Sequence, residues 1–590
     1  MMFLRAAGRM ARRSAIFAIC RRASWSKTLL LALVLGIAGQ FLGQALQADE
    51  QPSTVHGTVV NSVTHAPIAR ALVYSLDNHF AMLTDGSGHF EFALPKTSNQ
   101  TETSGGQTVY FSTGQAHSFQ FRGDRIWLRA RKPGFLDATP GRPQVADPAG
   151  GEVTISLVPE ALIKGRITLS TGDAASAIAV QLYSRQVVDG LPRWMPGVAV
   201  AANSAGEFRF AELQAGTYKV VTHEFMDNDP TTRLPGAALY GFPPVYYPGA
   251  PDLTAAATVK LTAGQTFEAN MALIAQPYYG VKIPVTNGNA FSGVNVSVEG
   301  QRRPGYSLGY NETEQRIEGL LPNGNYIVEA AVYGMTSAMG KVNLRVTGGS
   351  VEGPPVTLVP NSSITFDVKE EFNEAPSNQF GPQSDRRHTP SGPRVSLQPS
   401  LDNADDFEQL RGGSIRPPTG PDDDSLVMEN LFPGRYWLRL STPHGYVASA
   451  TLGTTDLLHD PVAIGSGSNT RAEVILRDDG AEVDGTVTTM AAQPATVPGD
   501  ISLPGAWVCF IPLPNSSGQF QQTGVSGDGK FTSPMLAPGS YRVLAFASMQ
   551  ENLPYRDPEA MKAYETKGPV INLTAGQKVT VQVPIIGATE

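Results

Sequence analysis

The motif Leu-x-x-Gly-x-Tyr occurs four times in this chain of 590 residues. The copies occupy residues 213–218, 321–326, 431–436 and 536–541, and successive leucines lie 108, 110 and 105 residues apart. Recurrence at such a regular spacing indicates an array of similar domains, each about the size of a small β-sandwich. The repeat therefore disfavours a single large catalytic fold.

The residue types of the motif suggest a structural role. Glycine permits a tight turn in backbone regions closed to other residues, and the leucine before it can enter a core. The tyrosine opens an alternating strand, as in Tyr541-Arg542-Val543-Leu544. A tyrosine at a strand entrance, with a buried ring and a hydroxyl bonded to nearby backbone, is a corner device of sandwich folds. We expect the four tyrosines to stabilise their domains rather than bind ligands.

The first 48 residues have the layout of an export signal. Seven arginines and lysines occur without an acidic residue, an apolar stretch follows at 28–38, and small residues precede position 48. This order is typical of a secretory signal peptide, and translation could also start at Met10. The alternative is an uncleaved membrane anchor, which Gln40, Gln44 and Gln47 weaken. We expect an exported protein, located in the periplasm, on the outer surface or outside the cell.

The charge of the chain restricts its possible partners, and its cysteine content restricts its possible disulfides. Without the leader, 38 lysines and arginines face 53 acidic residues, a net charge of about −15. Such a chain offers no basic stripe for nucleic acid, so no nucleic-acid partner is expected. Cys509 is the one cysteine beyond the leader, which excludes an intramolecular disulfide, and its apolar neighbours predict a buried strand residue.

Residues 55–95 carry three motifs in order: G-x-V, then P-[IL]-x-x-A-x-V, then T-D-x-x-G-x-F-x-F. This segment resembles the carboxypeptidase regulatory-like domain, with Gly88 at the family's turn glycine. The resemblance implies a transthyretin-like β-sandwich of seven strands, a fold grouped with carbohydrate-binding-like domains. Residues 164–218 and 484–541 match more loosely. The whole chain also resembles multi-module exported proteins of soil bacteria such as acidobacteria.

A second repeat helps to place the module boundaries. The string Leu-Thr-Ala-Gly-Gln occurs at 261–265 and 573–577, each time before an alternating run that reads as a last strand. We predict an all-β tandem array of about five Ig-like or transthyretin-like β-sandwich modules at 49–160, 161–275, 276–360, 361–480 and 481–590, after the signal segment. Residues 373–392 are expected to form a long loop, and residues 557–566 a helix with Asp557 as its cap.

The sequence contains no recognisable catalytic or metal-binding motif. None of the nine histidines has a glutamate three residues later, as the zinc motif of the related peptidases would require. Five histidines fall in module one, at spacings that match no usual ligand pattern. The acidic stretches 402–406 and 422–424 could bind calcium, but solvated loops are the favoured interpretation. We predict no catalytic residues, no metal site and no cofactor.

The candidate binding residues are aromatic. Tyr240, Phe242, Tyr246 and Tyr247 lie within ten residues that also contain prolines and glycines. Preset aromatic faces can stack against sugar rings. The alternative is a loop that covers an end of module two or seals its contact with module three.

The preferred functional hypothesis is a non-enzymatic, exported binding protein of the cell envelope with carbohydrate as its ligand. The expected partners are a polysaccharide or another cell-surface protein, and membrane contact is expected only through an uncleaved leader. A structural spacer or adhesin stalk is the alternative. A hydrolase is a third hypothesis, which would require histidines or paired carboxylates to converge in one cleft.

Overall fold

The computed structural model describes residues 54–77, 80–93, 126–138, 143–146, 151–227, 239–299, 305–334, 337–373, 397–404, 413–420, 423, 425–488, 505–514, 516–550 and 552–586. The predicted leader and most of the predicted loop at 373–392 lie outside this range. The described residues form two compact units. One contains the residues up to Lys132 with Asp137–Leu157, and the other contains Pro133–Leu136 with Val158 onwards.

The fold is an all-β array of β-sandwich modules, as the sequence predicts. We keep the predicted boundaries as module names. The strands of module one are β1 (Thr54–Asn61), β2 (Leu72–Ser75), β3 (Ala81–Leu83), β4 (His89–Ala93), β5 (Ile126–Arg131), β6 (Phe135–Asp137), β7 (Gln144–Ala146) and β8 (Val153–Pro159). Those of module two are β9 (Ala161–Leu169), β10 (Ala179–Val188), β11 (Leu191–Ala201), β12 (Glu207–Leu213), β13 (Gly216–Thr222), β14 (Phe225–Met226), β15 (Leu239–Phe242), β16 (Val259–Leu261), β17 (Thr266–Glu268) and β18 (Met271–Leu273).

Modules three to five continue the pattern. Module three has β19 (Gln276–Thr286), a 3₁₀ turn (Gly288–Ala290), β20 (Asn295–Val298), β21 (Leu308–Asn311), β22 (Arg316–Pro322), β23 (Gly324–Val332), β24 (Ala338–Val346), β25 (Val351–Glu352), β26 (Val356–Thr357) and β27 (Val359–Pro360). Module four has β28 (Ser362–Glu371), β29 (Gln398–Asn403), β30 (Ser414–Ile415), β31 (Leu426–Leu431), β32 (Gly434–Ser441), β33 (Tyr446–Leu452), β34 (Thr455–Asp456), β35 (Val462–Ile464) and β36 (Asn469–Arg477). Module five has β37 (Glu482–Thr488), β38 (Trp507–Pro512), β39 (Gln521–Gly524), β40 (Lys530–Thr532), β41 (Gly539–Phe546), helix α1 (Pro558–Met561), a 3₁₀ turn (Lys562–Tyr564), β42 (Val570–Leu573) and β43 (Lys578–Ile586).

One pairing scheme recurs in all five modules. The first strand of each pairs antiparallel with a strand near the middle of the module and parallel with its last strands. The antiparallel pairs are β1–β4, β9–β12, β19–β22, β28–β31 and β37–β40. The parallel partners are β8, β17 with β18, β25 with β26, β36 and β43. Modules three and four, whose sequences match least, therefore share the strand arrangement of module one.

In three modules a glycine of the first strand lies opposite a phenylalanine. The pairs are Gly57 with Phe90, Gly165 with Phe208 and Gly485 with Phe531. A Cβ atom added at Gly485 would lie 2.4 Å from the ring carbon Cζ of Phe531 and 2.5 Å from the carbonyl oxygen of Val581. The ring covers a strand position where no side chain fits. This contact explains why the glycine of the first strand occurs together with a phenylalanine in the facing strand.

The repeated tyrosines form the predicted corners. Each hydroxyl donates to the carbonyl oxygen four residues earlier: Tyr218 to Gln214 at 2.8 Å, Tyr326 to Pro322 at 2.9 Å, Tyr436 to Phe432 at 2.9 Å and Tyr541 to Ala537 at 2.8 Å. Tyr436 and Tyr541 are fully buried, and burial raises the pKa of Tyr541. The structural interpretation of the motif is confirmed.

The reason for the motif's glycine differs from the expected one. Gly539 alone among the four has a positive φ, of 142°. A Cβ atom at Gly324 would lie 2.7 Å from the hydroxyl oxygen of Tyr326, whereas at Gly216 and Gly434 the nearest atoms are 3.4 Å away. The tyrosine ring folds back over the glycine two residues earlier. This close approach leaves no room for a side chain at Gly324, whereas a Cβ atom at Gly216 or Gly434 would be in ordinary van der Waals contact, so no single cause explains the glycine at all four positions.

Two further local predictions are confirmed. Helix α1 begins after Asp557, whose side chain accepts from the backbone N–H groups of Glu559 and Ala560. The α-helix ends at Met561 and a 3₁₀ turn follows to Tyr564, so the helical segment is shorter than the predicted 557–566. Cys509 is fully buried, and burial raises the pKa of its thiol to about 12. Both features depend on neighbours in sequence, which is why they could be predicted.

Candidate functional site

The four candidate aromatic residues occupy different environments. Tyr240 is 49% exposed, whereas Phe242 and Tyr246 are 7% and 2% exposed. Phe242 belongs to the core of module two, and Tyr246 packs with Tyr183 in a second cluster. The ring of Tyr247 packs edge-on against Phe267, with 5.9 Å between centroids. The four rings do not form one shared stacking surface, because Phe242 and Tyr246 are core residues.

The start of this aromatic segment joins modules two and three. Strand β15 pairs antiparallel with β19, with Leu239 opposite Tyr278, and β14 continues the same sheet beyond it. The carboxylate of Glu224 also accepts from the backbone N–H of Ser307 at 2.8 Å. The alternative interpretation, a segment that seals the contact with module three, is the one this geometry supports.

Further contacts tie modules three, four and five in sequence. The hydroxyl of Ser337 donates to the side-chain oxygen of Asn430 at 2.9 Å, and the rings of Tyr333 and Phe432 lie 5.1 Å apart. Between modules four and five, the side-chain amide of Gln519 forms two hydrogen bonds with the backbone of Leu440, at 3.0 and 2.8 Å. Each module boundary in this unit is therefore bonded through specific side chains.

A longer-range junction brings module two against modules four and five. The hairpin between β10 and β11 turns at Asp189 and Gly190, with φ values of 52° and 80°, as a two-residue Asp-Gly turn requires. The carbonyl oxygen of Gly190 accepts from the backbone N–H of Arg556 at 3.0 Å. A Cβ atom at Gly190 would lie 2.7 Å from the ring of Tyr555, so the turn fits closely against module five.

Two arginines and the carboxylate of Asp402 surround this turn. Nη2 of Arg439 lies 3.0 Å from Asp189 and 3.1 Å from Asp402. Nη1 of Arg556 lies 3.3 Å from the Asp402 carboxylate and 3.1 Å from the Asp189 carbonyl oxygen. We call Asp402, Arg439, Tyr555 and Arg556 the hairpin socket. The side chains of Asp402 and Arg556 are 12% and 15% exposed.

Aromatic rings hold Arg556 in place. Its Cζ atom lies 5.0 Å from the ring centre of Trp437 and 5.4 Å from that of Tyr555. Tyr555 stacks in turn on Phe520, with 4.1 Å between centroids. Burial raises the pKa of Asp402, and the attraction of Arg439 and Arg556 opposes that rise. The socket is thus a partly buried ion-pair network, whose charges need one another for compensation.

The socket could not be identified from sequence as a site. The Asp-Gly pair at 189–190 is a strong local hairpin signal, but it does not reveal what the turn contacts. Asp189 and Arg439 are 250 residues apart, and the Asp189 carbonyl and Arg556 are 367 apart. Paired carboxylates do meet here, as a hydrolase would require, yet both accept hydrogen bonds from arginine.

His459 links modules four and five through both ring nitrogens. Nδ1 lies 2.7 Å from the Asp456 carboxylate, and Nε2 lies 2.6 Å from the Ser516 carbonyl oxygen. Burial lowers the pKa of His459, but the Ser516 carbonyl and Asp456 carboxylate raise it by more, so the net shift is upward. Because both partners are acceptors, the doubly protonated ring is the form that satisfies them.

We expect this contact to make stability depend on pH. Since the pKa of His459 is raised on folding, its contribution is fully present below the unfolded pKa, about 6.5, and is lost as pH rises through the folded value. Melting temperatures of the parent and His459→Gln should therefore differ more at pH 5.5 than at pH 8.5. An equal difference at both pH values would contradict the assignment. His444→Gln, in an exposed turn of the same module, is the control.

The acidic and histidine candidates do not assemble into a metal site in the part of the chain that the structure describes. Asp423 instead accepts from Thr419 and Ser425 in its own turn, which lowers its pKa. His89 lies 3.1 Å from Glu152 on the surface of module one. His79, His117 and residues 405, 406, 422 and 424 lie outside the described residues. Within the described ranges, no helix is long and apolar enough to span a membrane.

No protein-family model matches the chain, and no curated protein matches it. Solved structures with similarity include the Bacillus anthracis TIE protein, with 12% identity, a TM-score of 0.15, and coverage of 72% of this chain and 73% of that one. A streptococcal ancillary pilin has 11% identity and a TM-score of 0.18 over 52% and 99% of the two chains. BcpA, the major pilin subunit of Bacillus cereus, has 10% identity and a TM-score of 0.13 over 54% and 100%. With TM-scores this low, the likenesses carry no argument about function.

Proposed function

We propose that this chain is an exported, non-enzymatic structural protein of the cell envelope. In this proposal modules two to five form one braced scaffold, by which we mean modules held together by contacts between non-consecutive modules as well as consecutive ones. The observation that supports this proposal is the hairpin socket. In a simple string of modules only neighbours along the chain touch. Here the turn at Asp189 and Gly190 contacts Arg439 of module four and Arg556 of module five.

The nature of the contacts favours a permanent scaffold over loosely tethered modules. Inter-domain interfaces that move are generally small and polar. Strand β15 is instead part of the module-three sheet, and the buried guanidinium of Arg193 donates to the backbone carbonyl of Asn403. Opening the scaffold would break a sheet and separate Asp189 from Arg439 and Arg556. A rigid spacer or adhesin-like support requires modules that keep fixed positions, and these contacts would fix them.

The side chains of the socket also argue against hydrolytic chemistry there. A general acid or base must face the substrate. Asp402 is largely enclosed, with two arginines at its Oδ2 atom, and Asp189 is bound to Arg439. We interpret the pair as structural.

The family of module one remains part of the proposal. Its motifs and the contact of Gly57 with Phe90 support membership of the carboxypeptidase regulatory-like domains. Carbohydrate binding around Tyr240, the exposed member of the aromatic set, is the competing functional hypothesis. Glycan binding by the parent that Tyr240→Ala abolishes would favour it.

The proposed function can be tested on the full chain with a C-terminal epitope in a bacterial host. We expect the epitope in the envelope or extracellular fraction, and no turnover by the purified protein of peptide or glycoside substrates. A cytoplasmic location would contradict the proposed export. Turnover that Asp402→Asn abolishes would contradict the structural interpretation of the socket. Asp484→Asn, on an exposed strand position in module five, serves as the matched control.

A further inference from the structure

The outer face of one sheet of module one carries exposed apolar and basic side chains. Strands β3, β2, β5 and β7 form this sheet. Val73, Leu128 and Ala130 point into the core, so the alternate positions of these strands face outward. The outward residues form three cross-strand rows: Leu83–Leu72–Arg131, Ala81–Tyr74–Arg129 and Leu76–Trp127–Val145. We call these nine residues the module-one outer face.

The second sheet of the same module provides an internal comparison. The outward positions of β1, β4 and β8 carry mostly polar side chains, including His56, Thr58, His89, Glu91 and Thr154. A sandwich sheet with one face in solvent normally shows this polar pattern. On the module-one outer face, Trp127 is 46% exposed, Leu83 54% and Leu76 45%. Exposed apolar groups gathered on one face indicate an interaction site.

The charges of this face select the type of partner. Trp127, Arg129 and Arg131 alternate along β5 and therefore lie about 6.7 Å apart on one side of the strand. None of the three rows contains an acidic residue. Among the described residues, no salt bridge joins either arginine to an acidic group. The chain as a whole is acidic, with a net charge of −8, so this face is opposite in sign to the rest and complements an anionic partner.

We propose that the module-one outer face binds a carboxylated polysaccharide chain. The exposed ring of Trp127 offers a surface on which the C–H face of a sugar can pack. The planar guanidinium groups of Arg129 and Arg131 can each donate two parallel hydrogen bonds to a carboxylate. An exposed sheet face with a row of such groups suits an extended polymer, whereas protein hot spots usually fill pockets.

This site is independent of the braced scaffold. It lies in the first compact unit, and the hairpin socket lies in the second. The substitutions expected to weaken binding in the assay below change only module one, and the stability experiments on the socket change only modules two to five. Either proposal can therefore fail without the other.

The test uses the purified chain from residue 49 and calorimetric titration with polygalacturonate fragments. Neutral cello-oligosaccharides of matched length are the comparison ligand. Titration at an ionic strength of about 0.15 M limits repulsion by distant acidic groups, since charges beyond about 8 Å are then largely screened. We expect the parent to bind the acidic polymer at least about tenfold more tightly than the neutral one, a difference of about 1.4 kcal/mol.

Two variants locate the site. Trp127→Ala and the double variant Arg129→Gln/Arg131→Gln should each weaken binding at least about tenfold. Trp127 is half exposed, so its replacement should leave the melting temperature of the protein nearly unchanged. His56→Ala on the opposite sheet and Lys164→Gln in module two are controls that should bind like the parent. Equal affinity for both polymers, no binding by the parent, or unchanged affinity in both variants would overturn the proposal.

Discussion

Tyr541→Ala is expected to lower the free energy of unfolding of module five by about 3–5 kcal/mol, the usual cost of removing a large buried aromatic ring. Tyr541 is fully buried, and its hydroxyl donates to the carbonyl oxygen of Ala537 at 2.8 Å. The variant loses the ring contacts within the core and the bond that holds the chain at the entrance to β41. Hydrogen exchange of backbone amides in β38 and β41 measures the change, because their opening reports local stability.

A graded series separates the ring from the hydroxyl. Tyr541→Phe keeps the ring and leaves the Ala537 carbonyl oxygen without its partner, at a cost of about 1–3 kcal/mol. Tyr240→Phe, at a half-exposed ring in module two, should change stability by less than about 0.5 kcal/mol. If Tyr541→Ala and Tyr541→Phe had equal small effects, the corner would not be a main support of the module.

Arg556→Ala is expected to destabilise the junction of modules two, four and five by about 3–5 kcal/mol, the range for breaking a buried ion pair at one partner. The side chain pairs with Asp402 of module four and also donates to the Asp189 carbonyl oxygen of the module-two hairpin. Asp402 would keep only Arg439, and the contacts of the guanidinium with Trp437 and Tyr555 would also disappear. The measurement is hydrogen exchange of the amides between residues 185 and 195. We expect their protection to fall while that of β41 stays the same.

The control for this variant is a substitution at a solvent-exposed ion pair of the same module. Lys562 and Glu559 lie 2.8 Å apart with side chains 60% and 81% exposed, so Lys562→Ala should cost at most about 1 kcal/mol. A double variant, Arg556→Ala with Asp402→Asn, should be more stable than the sum of the two single effects predicts, because no carboxylate is then left without compensation. Unchanged hairpin protection in Arg556→Ala would show that the socket does not hold module two.

The parts of the fold that could be predicted are those that short stretches of sequence specify. Leu536, Gly539 and Tyr541 form a corner whose hydrogen bond spans four residues, and Asp557 caps the helix that follows it directly. Such contacts depend on neighbouring residues, so each repeat of the motif carries the same information. The motif recurs in modules two to five, whereas module one shows the same pairing of its first strand without a copy of the motif.

The candidate site was less predictable because its contacts are distant in sequence. Nothing near Asp189 indicates Arg439 or Arg556, and an ion pair has no periodicity that would reveal it. For the aromatic segment, the sequence shows rings close together but not their directions. Tyr240 is half exposed on β15, while Phe242, two residues later on the same strand, belongs to a core. Packing of the surrounding sheets decides between these positions, and only the tertiary structure contains that information.

The strands that module two contributes to module three bear on how the modules could be exchanged. The edge of β19 is covered along its length by three short strands, β15, β25 and β26, and β15 comes from the preceding module. Module three cut out on its own would expose the backbone groups of residues 276–278, and a bare sheet edge invites pairing with other chains. A shuffled or truncated chain should keep residues 225–242 with module three to remain soluble. The smallest transferable piece of this array is therefore larger than one module.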